Sequence, residues 1–249
     1  MAAAGFSIEK VEHELDIWGL PAHPVHLGDI GGFPIDINPK TIVFTWVAMI
    51  IVLLLGILAA RGASMRRPTR MQSLFELMFD FLRGLINENM SPQKGNSIFT
   101  LIVTFFLFIT TCNFLGLVPT LMAPTADHQT TFAFALITFF MMFWLGIKYK
   151  GPGYFKHYLK PFPFFLPITI LEDLAKPLTL AFRLFGNMKG KEVMILALLG
   201  LITGVAEWGG GFLASVAWLG FGVFVSFIQA FVFTMLTIAY IGIAVADDH

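Results

Sequence analysis

Arg183 is the residue hardest to explain as packing. It stands among Leu178, Leu180, Phe182, Leu184 and Phe185, and a charged side chain at the centre of a bilayer costs at least ~2.5–3.5 kcal/mol. Glu172 lies eleven residues before it and Glu192 nine residues after it. On a helix turning 100° per residue, Glu172 and Lys176 fall about 20° from Arg183 and Asn187 about 40°, whereas Glu192 lies about 180° away. Four polar residues thus share one stripe. At 1.5 Å per residue the two carboxylates sit about 16 Å and about 14 Å to either side of the guanidinium. Two acids bracketing one arginine on different faces suggest two offset polar paths, one from each side, that meet at a residue separating them. Arginine suits that role because it keeps its proton in a poor dielectric, whereas a lysine can lose it. The competing reading is a buried arginine tied only to backbone carbonyls.

The remaining polar residues carry open alternatives. Glu172 and Lys176, spaced i, i+4, fit an interfacial ion pair as well as an aqueous channel. Asp173 and Lys176 are possible channel-lining groups, and Lys189 and Lys191 are expected to snorkel to headgroups. Ser226, Gln229 and Thr237 interrupt the last apolar stretch, and Gln229 is placed to hold Arg183 by hydrogen bonding. Glu207, beside Trp208, is either solvated or at a channel mouth. The histidines at 13, 23, 26, 128, 157 and 249 lie in tails and loops, so no metal site is expected, with His23 and His26 the weak exception. The lone Cys112 reads as a packing residue. No phosphate loop of the form G-x-x-x-x-G-K-[ST] occurs, so no nucleotide chemistry is expected of this chain, and no cofactor.

The elements that must position these residues follow from composition. Of 249 residues, 57% are hydrophobic and 13% charged, with a mean hydropathy of +0.78, which excludes an ordinary soluble domain. The 16 basic and 16 acidic residues cancel, which gives no basic excess for nucleic acid. Crossing a bilayer takes about 20 apolar residues. Spans are expected at about 41–60, 97–118, 131–147, 163–206 and 211–246. Between the first two, residues 71–90 place Leu74, Phe75, Leu77, Met78, Phe81, Leu82 and Leu85 at helical spacing among Glu76, Asp80, Arg83 and Glu88, the pattern of an amphipathic helix on the membrane surface or against partner helices.

The basic cluster Arg61, Arg66, Arg67 and Arg70, and later Lys148, Lys150, Lys156 and Lys160, mark the cytoplasmic side. Residues 1–40, acidic and rich in turns, then lie outside as an N-terminal segment, and 41–249 form one membrane domain with the C-terminus inside. The last two spans, at about 50 Å or more, are longer than the membrane is thick and must tilt or break. The fold class expected is an all-α integral membrane protein of five spans plus one surface helix, the last two spans a long tilted hairpin. No internal repeat is evident. With neither a signal peptide nor a transit-type leader evident, a bacterial inner membrane is expected before a thylakoid.

The stretch Ile170-Leu171-Glu172-Asp173, followed by Lys176-Pro177-Leu178-Thr179-Leu180-Ala181-Phe182-Arg183-Leu184-Phe185-Gly186-Asn187-Met188, resembles the signature of subunit a of the F-type ATP synthase membrane sector. Ile228-Gln229-Ala230-Phe231-Val232-Phe233 with Tyr240-Ile241, and Asn113-Phe114-Leu115-Gly116-Leu117-Val118-Pro119, match it too. The resemblance runs from about residue 37 to 249. It implies a non-catalytic stator whose two offset half-channels carry protons to and from a c-ring of small hairpin subunits, coupling the ion gradient to ATP synthesis. Peripheral-stalk b subunits and, indirectly, the soluble sector are further implied partners, with membrane lipid around them.

By the same resemblance Arg183 faces the ring carboxylate, Glu192 belongs to the outer half-channel, Gln229 lies near the arginine, and Asn187 is a polar position of the signature. Glu172 with Asp173 resembles the variant of chloroplast-type and some bacterial members. Where some members carry a histidine or an acid, seven residues before Gln229, this chain has Gly222. Either Glu192, Glu207 or water supplies a relay there, or Gly222 and Ser226 admit a close helix. H⁺ against Na⁺ is decided on the ring. The alternative function is a self-contained secondary transporter or channel; the absence of repeats and the single bracketed arginine weigh against it.

Overall fold

The computed structural model describes residues 25–30, 33–61, 68–118, 121–151, 153–154, 164, 166–205 and 210–246, with backbone alone at 27, 29–30, 33–36, 192, 195–205 and 210–215. Helix α1, Pro39–Arg61, is apolar on every face. Helix α2, Arg70–Asn89, begins at Thr69, whose hydroxyl accepts from the Gln72 amide at 3.2 Å. Helix α3, Pro92–Leu115, opens with a proline whose missing N–H a first turn does not need, and stops at Gly116. A 3-10 turn, Pro124–Ala126, leads into α4, His128–Lys150, capped by the Asp127 carboxylate. Helices α5, Leu166–Val205, and α6, Gly210–Val245, have 40 and 36 residues. At 1.5 Å per residue they reach about 60 Å and 54 Å, well beyond a ~30 Å hydrocarbon core.

Among the described residues the membrane domain is all helical, as expected, and one element is added ahead of it: strands β1, Val25–Ile30, and β2, Phe33–Ile37, pair antiparallel, with an irregularity between His26 and Gly28. Gly28 has φ +146°, a conformation open to glycine. Two short runs separated by Gly31-Gly32 are a hairpin signal that composition alone hides.

Among the described residues four helical segments are long and apolar enough to cross a membrane: Pro39–Arg61, Pro92–Leu115, His128–Lys150 and Val216–Val245. Helix α5 is interrupted by Glu172, Asp173, Lys176, Arg183, Lys189, Lys191 and Glu192, so its mean hydropathy is lower. Helices α3, α4 and α6 meet around a core of Ile102, Phe105, Ile109, Phe233 and Ile238, with Phe105 edge-on to Phe134 at 5.4 Å and to Phe233 at 5.8 Å. Helix α5 inserts Leu180, Ala181 and Leu184 into this core. Helix α1 contributes Ala48, against which Cys112 and Phe108 pack.

Hydrogen bonds mark the two ends of the bundle. At one end Lys94 at the start of α3 donates to the Val245 carbonyl at the end of α6 (2.7 Å), and Ser97 meets the Tyr149 hydroxyl at 2.9 Å. At the other end Thr41, in the first turn of α1, donates to Asp127 at 2.8 Å. The first end carries Arg61, Arg70, Lys94, Lys148 and Lys150, which is the charge asymmetry expected of a membrane protein.

Candidate functional site

The site is built on α5. Its inward stripe is Asp173, Leu180, Ala181, Leu184, Met188 and Lys191, while Glu172, Phe182, Arg183, Gly186 and Asn187 are exposed. A charged residue at the end of this stripe is buried only with a partner, and both ends have one. Near the start of the helix Lys176 Nζ donates to Asp173 at 2.6 Å, while Glu172 stands at 3.7 Å with its side chain 69% exposed. The tighter pair is therefore i, i+3 through Asp173. The expected i, i+4 pair with Glu172 is the looser member of the same cluster.

Arg183 lies about 15 Å further along the helix axis than Asp173. It is exposed, and among the described residues it makes no hydrogen bond or ion pair. Gln229 does not hold it; the Asn187 amide, one turn beyond Arg183, donates to Gln229 Oε1 instead. Gln229 is 3% exposed, and its Nε2 finds no acceptor among the described residues.

About 12 Å beyond Arg183 along the axis sits a buried polar junction. Lys191, which sequence reasoning sent to headgroups, is 6% exposed and donates to Ser226 Oγ at 2.9 Å. The Ser226 hydroxyl donates to the Gly222 carbonyl at 2.7 Å. Asn113, fully buried at the end of α3, donates to the Ser226 carbonyl at 3.1 Å and accepts from Thr125 at 2.9 Å. The junction thus ties α3, the 3-10 turn, α5 and α6 together. Sequence reasoning missed Asn113 and Lys191 as polar anchors. The signals were an amide late in an uncharged run and a second lysine two residues after Lys189.

Gly222 packs against Leu117: a Cβ there would come within 2.7 Å of Leu117 Cδ2. This favours the close-packing account of that position. Glu207, His13, His23, His157 and His249 lie outside the described residues, as does the side chain of Glu192. No cluster of three potential metal ligands occurs among the described residues.

The chain matches the family described as ATP synthase A chain over residues 42–242. The chain belongs to that family. Among its relatives is the ATP synthase subunit a of Desulforamulus reducens, 43% identical over 94% of this chain and 90% of that protein. The ATP synthase subunit a of Staphylococcus carnosus is 37% identical over 91% and 98%. That of Lysinibacillus sphaericus is 36% identical over 85% and 94%. As a member of the ATP synthase A chain family the protein is a multi-pass membrane component of the complex, serving proton translocation in its membrane sector.

Proposed function

We propose that this chain is the non-catalytic stator of the membrane sector, with two offset half-channels that deliver protons to a c-ring of hairpin subunits and collect them again. The observation that carries the reading is Arg183: a fixed charge on an outward apolar face, flanked by exposed Leu178 and Phe182, with no partner among the described residues. Such a charge inside a membrane implies a counter-ion on a neighbouring subunit, and a ring carboxylate fits it.

Asp173 with Lys176, and Glu172 beside them, line the path on one side of Arg183. Lys191, Ser226 and Asn113, with Glu192, line the path on the other, and Lys191 takes the place of a titratable group at Gly222. Asn187 and Gln229 flank the arginine, and Glu207 lies at the outer mouth. The pairing of residue 187 with 229 and of 191 with 226 supports α5 and α6 as an antiparallel hairpin, which makes five spans within one membrane domain, 41–249. The basic end of the bundle is cytoplasmic, so residues 1–40 are outside and the C-terminus inside, in a bacterial inner membrane. The peripheral-stalk b subunits and the soluble sector complete the machine.

The test is ATP-driven proton pumping in inverted vesicles carrying the whole complex, with passive leak scored after the soluble sector is stripped. Arg183→Ala is expected to abolish pumping and to retain or raise the leak. Normal coupled pumping would overturn the separator role.

A further inference from the structure

The elbow between α2 and α3 holds a cavity of about 190 Å³ lined by Arg83, Ile86, Asn87, Pro92, Asn96 and Phe99. The Arg83 guanidinium lies over the Phe99 ring, 4.6 Å from its centre, and among the described residues it makes no ion pair or hydrogen bond. Asp80 and Glu88, on the same helix, are not paired with it. The other polar groups at the cavity are two neutral amides, so the lining carries one net positive charge.

The elbow is held closely: a Cβ at Gly95 would run into the Ile86 side chain. Pro92 begins a helix long and apolar enough to cross a membrane, and the start of such a helix falls at headgroup level. Leu74, Leu77 and Phe81 of α2 remain exposed and keep that helix against acyl chains.

We infer that this elbow binds the phosphate of an anionic phospholipid. Guanidinium forks match phosphate oxygens. Asn87 and Asn96 add N–H donors, and Ile86, Pro92 and Phe99 receive the glycerol and the first methylenes. The source is the bilayer rather than free phosphate, because the cavity sits where lipid phosphates are fixed and its floor is apolar. The site is separate from the ion path, so losing it need not stop pumping.

The experiment uses the purified complex in nanodiscs with photoreactive phosphatidylglycerol as the probe, cross-links being mapped to residues 83–99 by mass spectrometry. Arg83→Gln is expected to lower labelling about five-fold, the loss of one interfacial cation. Asn96→Leu lowers it too while keeping the charge, and Arg70→Gln, at the far end of α2, leaves it unchanged. ATP-driven pumping close to wild type in these variants establishes that the complex is assembled. Equal labelling of wild type and Arg83→Gln, equal labelling by a phosphatidylcholine probe, or displacement by millimolar inorganic phosphate would each overturn the lipid site.

Discussion

Helix α5 carries two cations treated in opposite ways. Lys191 is buried and hydrogen-bonded to Ser226 within a junction of four elements, whereas Arg183, eight residues earlier, is exposed and has no partner among the described residues. One chain satisfies the lysine by itself. Among the described residues the arginine has no such partner, and the proposed function supplies one from the ring. A group whose partners come from its own chain holds structure and can relay a proton along them; on the proposed function a group without them meets another subunit. The same contrast separates Asp173, buried against Lys176, from Glu172, which reaches the same lysine from solvent-facing ground.

The largest effect that sharpens this contrast is expected from Arg183→Gln, a neutral side chain of lower reach. Pumping should fall to background while the fold of this chain keeps its thermal stability, since no hydrogen bond or ion pair among the described residues is lost. A large drop in melting temperature would show Arg183 to be structural and would erase the distinction between the two cations.

Lys191→Met comes next. Methionine fills similar volume, and replacing a buried charge by an apolar group is often neutral or stabilising. The expected result is proton pumping reduced several-fold with assembly intact. Unchanged pumping would reduce Lys191 to a strut.

Asn113→Ala should act in the reverse sense, chiefly on stability. It strips Thr125 of its acceptor and the Ser226 carbonyl of a donor in a buried place, a loss of about 1–3 kcal/mol. Thermal dissociation of the complex followed by native electrophoresis would register it, and an unaltered midpoint would mean that water replaces the amide.

Much of this was legible in the sequence. The three separate apolar helices and the amphipathic helix were readable to within about five residues, because an uncharged run such as 95–126 and a half-charged run such as 71–90 obey different physics. Arg183 announced itself by its neighbours. What stayed hidden was the pairing across helices. The angular stripe put Glu172, Lys176, Arg183 and Asn187 together, yet a helical wheel cannot say which face a second helix covers. Asp173 and Lys191 were therefore underrated, and Gln229 was assigned to Arg183 when Asn187 takes it. The β-hairpin was missed because its residues were weighed by composition, which registers glycine and proline but not two short runs flanking Gly31-Gly32.

The smallest expected effect concerns Gly222, where the sequence left a missing relay and a close helix as equal accounts. A Cβ would approach the end of the Leu117 side chain at 2.7 Å, too near to keep, but Leu117 is a flexible partner. Gly222→Ala gains about 0.8–1 kcal/mol of helix propensity in a helix interior and loses a comparable amount to overpacking of about 1–3 kcal/mol. The net change should be a destabilisation of about 0–2 kcal/mol, and adding Leu117→Ala should remove the overpacking part in a double-mutant cycle. Pumping by Gly222→Ala should stay near wild type, because Ser226 can still donate to the carbonyl of residue 222 and Lys191 to Ser226. Additive effects of the two substitutions would show that the glycine is not there for Leu117. Lost pumping at unchanged stability would return Gly222 to the ion path itself.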